Sequence, residues 1–457
     1  MGRITKLLGT ILCCGVINAN AQTEDLLTIL QLALDNDPTL NQAEARYRAN
    51  SENVIQTRAN LLPSLGAGGS TTRETSGPPS DIINPATGEV LLEEHSFRPG
   101  RNSHSWGVSL NQSVFNLANW YSLQSARATD RANQVNLAAQ EQDLIMRTAA
   151  AYFDILRAQD LLETNIQEEE AALRSLEQTQ QREEVGLVAI TDVYDAQAAY
   201  DLARNTTILQ ENALRAAFEA LEAITGQPHP DIEELTDNFP IVDVDGSLDE
   251  WENQAEDNSL AIAAAEFNLE ASQKNLRARR ADHLPTVDFS GTYYHSVTAG
   301  TINQGIQSVG GAFDGTSLGL SVTIPLFTGG ATSSRRRAAE YNVLAAEESL
   351  ELTRRQLTQN IRNAYRRVNT DVLVIAQRQQ SITSAQSALD ATELGAEVGT
   401  RNIVEVLRAR ENLYRALRQY ADARYTYVID SLILKQVAGI LTPQDVIDLN
   451  RWLQNEQ

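Results

Sequence analysis

Two stretches 213 positions apart constrain this chain more than anything else in it. They are Val185-Gly186-Leu187-Val188-Ala189-Ile190-Thr191-Asp192-Val193 and Val398-Gly399-Thr400-Arg401-Asn402-Ile403-Val404-Glu405-Val406, and they agree position by position in character. Each lies between two long segments of helical pattern. A Val-Gly step ends such a segment because glycine takes the left-handed C-terminal conformation without steric cost. The chain must then reverse. Thr191 with Asp192 in the first copy, and Asn402 in the second, carry side-chain acceptors for the free backbone N–H groups of the returning helix. Each stretch therefore predicts the tip of a helical hairpin, turning at Gly186 and at Gly399.

The flanking segments keep coiled-coil spacing. Ile145, Tyr152, Ile166 and Leu173 are multiples of seven apart, as are Ile155, Leu162 and Leu176 three positions on. In the second copy Ile361, Val368, Ile375, Ile382 and Leu389 form an unbroken series. After the tips, Val193, Tyr200, Leu214 and Leu221 answer to Val406, Leu413, Tyr420, Tyr427 and Leu434. Such a repeat gives a narrow seam and lets helices wind about one another. From Ala118 to Glu184 a single helix would be about 100 Å long, which no compact globular domain requires.

Elsewhere the period changes from helical to two. The segments Leu26 to Leu62 and Leu248 to Leu284 read as helices that stop at Pro63 and Pro285, where proline forbids continuation. Beyond the second, Leu318, Leu320, Val322, Ile324 and Leu326 alternate with Ser317, Gly319, Ser321 and Thr323. Beyond the first, Trp106, Val108 and Leu110 alternate with Ser105, Gly107, Ser109 and Asn111. Val287 to Tyr294 and the glycine-rich Leu65 to Thr72 supply two further strands. Strands of about ten residues with one apolar and one polar face suit a transmembrane barrel. Trp106, Val108, Leu110, Leu318, Leu320, Val322 and Ile324 would face lipid. The loops between paired strands are expected at Thr75 to Asn102, which is rich in proline, and at Asn303 to Asp314.

The chain is thus a tandem duplication. Residues 1–21 form a secretory signal, with Arg3 and Lys6 before the apolar run Leu7 to Ile17 and Ala19-Asn20-Ala21 as the cleavage pattern. Residues 22–226 form the first repeat, 227–247 an acidic linker, 248–440 the second repeat, and 441–457 a C-terminal segment. Both cysteines, Cys13 and Cys14, fall in the signal, so disulfides and thiolate chemistry are excluded from the mature chain. The formal net charge of −23 becomes −25 when Arg3 and Lys6 leave with no acid. That balance argues against nucleic acid, whose phosphates it would repel. After the signal no run of 18 apolar residues remains, so entry into a membrane must be by strands. The five histidines keep no metal-ligand spacing, and neither a phosphate-binding loop nor a nucleophile elbow is present. No enzyme, metal or cofactor is expected.

Two repeats of helix, strand, strand, helix, tip and helix supply four strands. Four cannot close a barrel, and an open sheet edge in lipid leaves backbone groups unsatisfied at several kcal/mol each. Three chains would share twelve strands, an even number within the known range, and carry the same symmetry into a coiled-coil barrel of long helices. The fold class expected is an α+β membrane protein.

Val185 to Val193, Gly399 to Val406, Val114-Phe115-Asn116 and Pro325-Leu326-Phe327-Thr328-Gly329-Gly330 resemble the TolC family of outer-membrane export ducts over nearly the whole mature chain. The resemblance implies a homotrimer in outer-membrane lipid, reaching into the periplasm. The linker and C-terminal segment would form an equatorial belt, and the partners would be a periplasmic adaptor and an inner-membrane pump of an efflux or type I secretion system. Phe115 and Phe327 would sit at the periplasmic membrane interface. The tunnel would close at the tips, where Arg401 holds Thr191 and Asp192 and where Glu405 lines the constriction. Two positions depart from the family pattern: a frequent tyrosine is Ala396, and a further acidic position is Arg408. The competing reading is a soluble periplasmic coiled-coil adaptor or scaffold, which would share the heptads and have no need of a lipid-facing strand set.

Overall fold

The computed structural model describes residues 24–74, 82–83, 86–92, 101–236, 238–298, 302–303, 306–307 and 311–454. They fall into two units. One comprises residues up to 45, 137–260 and 354–457, and the other residues 46–136 and 261–353. The helices are α1 (Leu26–Asn36), α2 (Pro38–Ala59), α3 (Leu117–Glu184), α4 (Ile190–Thr225), α5 (Leu248–Asn258), α6 (Leu260–Ala281), α7 (Ala331–Glu397), α8 (Ile403–Val437) and α9 (Pro443–Asn450). The expected signal at 1–21 lies outside the described residues.

The second unit holds a four-stranded antiparallel sheet of β1 (Ser64–Glu74), β2 (Arg101–Phe115), β3 (Thr286–Thr298) and β4 (Gly311–Thr323), in that spatial order. Pairing across the sheet aligns Leu65, Leu110, Gly291 and Leu318, and in the neighbouring row Phe289 and Leu320. Because side chains alternate along each strand, Trp106, Val108, Leu110, Leu318, Leu320 and Val322 share one face. Leu318 is 72% exposed and Leu320 66%, so within one chain this apolar face is uncovered. The last strand differs from the sequence expectation. It begins at Gly311 and ends at Thr323, so Asp314 is in the strand and Ile324, with Leu326, lies beyond it. The alternation is blurred at the start by Asp314 and Thr316 on the apolar face. At the end Pro325 removes a ladder donor and restricts the residue before it. The expected loop from Thr75 to Asn102 lies mostly outside the described residues; within it Ile82–Ile83 pairs with Val90–Leu92, and in its counterpart Ile302–Asn303 pairs with Ile306–Gln307.

The segments expected as single helices over Leu26 to Leu62 and Leu248 to Leu284 are each broken once. In the first, Asp37 leaves the helix with ψ 120° because Pro38 disfavours helical geometry in the residue before it, and Pro38 then serves as the first residue of α2. Asp37 is only 2% exposed. Its carboxylate accepts from Leu40 N–H at 2.6 Å and from both terminal nitrogens of Arg147 at 3.1 and 3.2 Å. Burial works to raise this carboxyl, and the bonds from Arg147 and the backbone outweigh it, holding Asp37 below the ordinary carboxylate range. In the second copy Ser259 leaves the helix with ψ 114° and no proline follows it.

The first unit is built round the middle of α3. Tyr152, Phe153, Ile155 and Leu156 pack with Leu26, Ile29 and Leu30 of α1, Leu221 of α4, Ile361 and Val368 of α7, and Val428 and Leu432 of α8. Burial of each such side chain contributes roughly 1.5–3 kcal/mol. The linker belongs to the same core through Ile232 and Leu235, and the C-terminal segment through Leu441, Val446 and Leu453. Linker and C-terminal segment are joined by a two-residue antiparallel pair, Leu235 with Leu453 and Glu234 with Gln454. The heptad seams are only partly filled within one chain: Ile145, Tyr152, Ile155 and Leu176 are buried, whereas Ile166 and Leu173 are 41% and 36% exposed.

One polar feature of this unit predicts a pH effect. Asp371 on α7 faces Asp430 on α8, with Arg367 bonded to Asp430 at 3.4 Å. Burial, then the neighbouring Asp430 charge, pushes the Asp371 carboxyl up to about 6, against a smaller opposing effect of Arg367. A carboxyl raised on folding holds its proton longer in the folded than in the unfolded chain. Its contribution is therefore fully present below the unfolded value of about 3.9 and is lost as pH rises through about 6. Asp371→Asn is expected to stabilise the protein at pH 7.5 and to flatten the dependence of its thermal midpoint between pH 4 and pH 7. Parallel profiles for parent and variant would refute the assignment.

Candidate functional site: the helix tips

Both helical hairpins stop by the same backbone device. After α3, Gly186 has φ 75°, its N–H donates to Glu183 O at 2.8 Å, and Leu187 N–H donates to Arg182 O at 2.8 Å. After α7, Gly399 has φ 77°, its N–H donates to Ala396 O at 3.2 Å, and Thr400 N–H donates to Gly395 O at 2.8 Å. These paired bonds, one from the left-handed residue and one from its successor, satisfy the last free carbonyls of each helix. The glycines are required because an L side chain at this φ is strained.

The returning helices start differently. Asn402 caps α8, its side chain accepting from Glu405 N–H at 2.9 Å. The corresponding cap of α4 is Ala189, which has no side-chain acceptor. The expectation that Thr191 and Asp192 cap this helix is therefore corrected: they occupy its second and third positions, where Asp192 faces the positive end of the helix dipole and its N–H donates to Ala189 O at 3.0 Å. Asn402→Ala is expected to destabilise the start of α8 by about 1 kcal/mol, and Ala189→Asn to stabilise α4 by a similar amount. Hydrogen exchange at the amides of Glu405 and Asp192 would show opposite changes, and equal behaviour of the two would refute the capping difference.

The gate candidates divide into those the chain brings together and those it does not. The Arg401 guanidinium, one residue before the cap of α8, donates to Glu405 in its first turn at 2.6 Å. Among the described residues Thr191 and Asp192 are not bonded to Arg401. The Arg401–Glu405 pair is exposed, 59% and 37% for the two side chains, so it holds Arg401 weakly, at about 0.2–1 kcal/mol. Gly395 makes room for it: a Cβ there would come within 2.6 Å of Arg401 Cγ. Ala396 packs beside the small cluster of Leu389, Val406 and Leu413. Arg408, one turn beyond Glu405, is exposed.

A second set of residues was not singled out from the sequence. Arg410, Tyr414 and Arg418 stand at successive four-residue steps on α8. Arg410 donates to Ala171 O at 2.7 Å and to Glu393 at 2.8 Å, Tyr414 OH to Gln167 O at 3.1 Å, and Arg418 to Asn165 at 3.0 Å and to Glu168. This ladder ties the second hairpin to α3 within one chain and leaves the tips beyond it without such ties. The i, i+4, i+8 spacing of long polar side chains was its only sequence signal, and it also fits a solvated face.

Apart from these tips, the sheet unit places Phe115 at the last position of β2, 49% exposed, and Phe327 between β4 and α7, 88% exposed. No described helix is long and apolar enough to cross a membrane.

Known proteins bear on this arrangement directly. The family model "Outer membrane efflux protein" matches residues 29–227 and 251–440. The chain is 34% identical over 445 residues to outer membrane protein TolC of Vibrio cholerae, covering 96% of each. It is 28% identical over 462 residues to the proteases secretion protein PrtF of Dickeya chrysanthemi, covering 100% of this chain and 96% of that one. Its fold matches a crystal structure of CusC with a TM-score of 0.76 at 17% identity, covering 91% of this chain and 92% of the other. With both repeats matched by one family model, and the full length shared with a protein one-third identical, the chain belongs to the outer membrane efflux protein family, the TolC family.

Proposed function

We propose that three copies of this chain share one twelve-stranded barrel and that the passage through them is closed at the hairpin tips, passively and without catalysis. The protein is an outer-membrane exit duct for efflux or type I secretion, and the reading of a soluble periplasmic adaptor is set aside by its family. The observation that carries the trimer is the sheet itself. It has an uncovered apolar face, and its edges β1 and β4 have no partner strand among the described residues. β4 of one copy and β1 of the next would pair antiparallel, closing the barrel without an edge. Helix faces agree with this: Tyr194, Leu202 and Leu209 of α4 are 65%, 60% and 62% exposed, a seam that a neighbouring copy would cover.

In this reading Phe115 and Phe327 anchor the periplasmic interface of the membrane, and residues 227–247 with 441–457 form a belt round the helices. At the tips Arg401 turns from Glu405 to Thr191 and Asp192 of a neighbouring hairpin, a guanidinium holding a hydroxyl and a carboxylate. A periplasmic adaptor and an inner-membrane pump complete the export system. The test is the native mass of protein extracted from outer membranes, corrected for detergent. Three chains are expected; a monomer would overturn the shared barrel.

A further inference from the structure

The face of the sheet opposite the apolar one carries an anomaly. Among its described side chains, from Ser64 to Thr72, Ser103 to Ser113, Thr286 to Thr298 and Gly311 to Thr323, all are Gly, Ser, Thr or Asn with three exceptions. Asp288 is the one charge. The others are Tyr294 on β3 and Phe313 on β4, which are 39% and 59% exposed with ring centroids 5.7 Å apart. They are diagonal neighbours, since Tyr294 pairs with Gly315 and Ser296 with Phe313.

The backbone is shaped to hold the tyrosine. Its row across the sheet reads Gly68, Gly107, Tyr294, Gly315. A Cβ at Gly315 would lie 2.4 and 2.5 Å from ring carbons of Tyr294 and 2.6 Å from its hydroxyl, so the ring occupies the space a side chain at Gly315 would take, and it stays 39% exposed. On the apolar side at the same level stand Trp106 and Tyr293, 5.5 Å apart, together with His295, bonded to Asp314 at 2.7 Å. Aromatic and polar side chains of that kind mark a membrane–water interface. This level lies towards the loop end of the sheet, away from the ends joined to α2 and α3.

We propose that Tyr294 and Phe313 form an aromatic collar inside the barrel that binds planar aromatic cations as they leave. The proposal rests on the shared barrel, which puts the polar face inward. Twelve strands about 4.8 Å apart, tilted by roughly 40°, enclose a ring roughly 24 Å across. Three aromatic pairs on such a wall line the passage without closing it. Exposed aromatic rings attract cations, and no described side chain of this face is positive, while Asp288 is negative.

The test is single-channel recording in planar bilayers with ethidium added on the side of the strand loops, and tetrapropylammonium as a non-aromatic cation of equal charge. Ethidium is expected to block the parent channel transiently, and tetrapropylammonium not to. In Tyr294→Ser/Phe313→Ser the residence time of the block is expected to fall at least tenfold with the open current retained. Tyr294→Leu/Phe313→Leu, which keeps apolar volume on the wall, is expected to lose the block as well. Blocks of equal duration in parent and both variants, or no block in the parent, would overturn the collar while leaving the duct intact. Failure of the parent to form a channel would instead overturn the shared barrel, and the collar with it.

Discussion

Leu318→Arg is expected to remove the protein from the outer membrane, whereas Ser317→Arg, one residue away, is expected to leave it there. Leu318 stands in the row Leu65, Leu110, Gly291, Leu318 on the apolar face, and Ser317 in the row Gly66, Ser109, Thr292, Ser317 on the other. An arginine facing the middle of the lipid costs about 2–4 kcal/mol. A shared barrel carries it three times, for a total of roughly 6–12 kcal/mol on the same principle, comparable with the whole stability of many folded proteins. An arginine on the inner face meets water at a cost near zero. Quantifying oligomer recovered from purified outer membranes separates the two cases. Equal recovery of both variants would mean that the apolar face is not the lipid face.

The second large effect is expected at the tips. Asp192→Ala and Arg401→Ala should each raise single-channel conductance by shifting the tips towards an open arrangement. One solvated ion pair is worth about 0.2–1 kcal/mol. Breaking all three symmetry-related pairs at once changes the balance by about 2 kcal/mol on that basis, which is on the order of 30-fold in the ratio of closed to open. The Arg410, Tyr414 and Arg418 ladder should survive both substitutions, since none of its partners is at the tip, so channel assembly should be retained. The Arg401–Glu405 pair within one chain makes a further distinction. Glu405→Gln should release Arg401 and favour closure, the opposite direction to Arg401→Ala. Unchanged current in all three variants would remove these residues from the gate.

Much of the fold is legible along the chain because it rests on local stereochemistry. Gly186 and Gly399 were readable as helix stops since few residues other than glycine enter the left-handed region freely. The alternation through Trp106 to Leu110 and Leu318 to Val322 was readable because a strand turns successive side chains to opposite faces. Asn402 was readable as a cap because its acceptor reaches only as far as its own next turn. Thr191 and Asp192 have the acceptor chemistry for that role, but the helix begins earlier, at Ile190.

What the tertiary structure decided are the meetings of side chains distant in sequence. No local rule ends a helix at Ser259, and none shows that Arg147 reaches Asp37 across 110 positions. Asp314 looked like a loop residue because its polarity contradicts the apolar face, and it stays in β4 alongside His295 and Tyr293, whose bonds satisfy its carboxylate. Tyr294 reaches over Gly315 only because that residue, in the neighbouring strand, has no side chain. The sequence by itself determined where the chain turns, which faces are apolar and that the pattern occurs twice, because backbone conformation and alternation act over a few residues. Only the tertiary structure decided which charges meet and which rings stay exposed, because those depend on the register between elements that the local pattern does not specify.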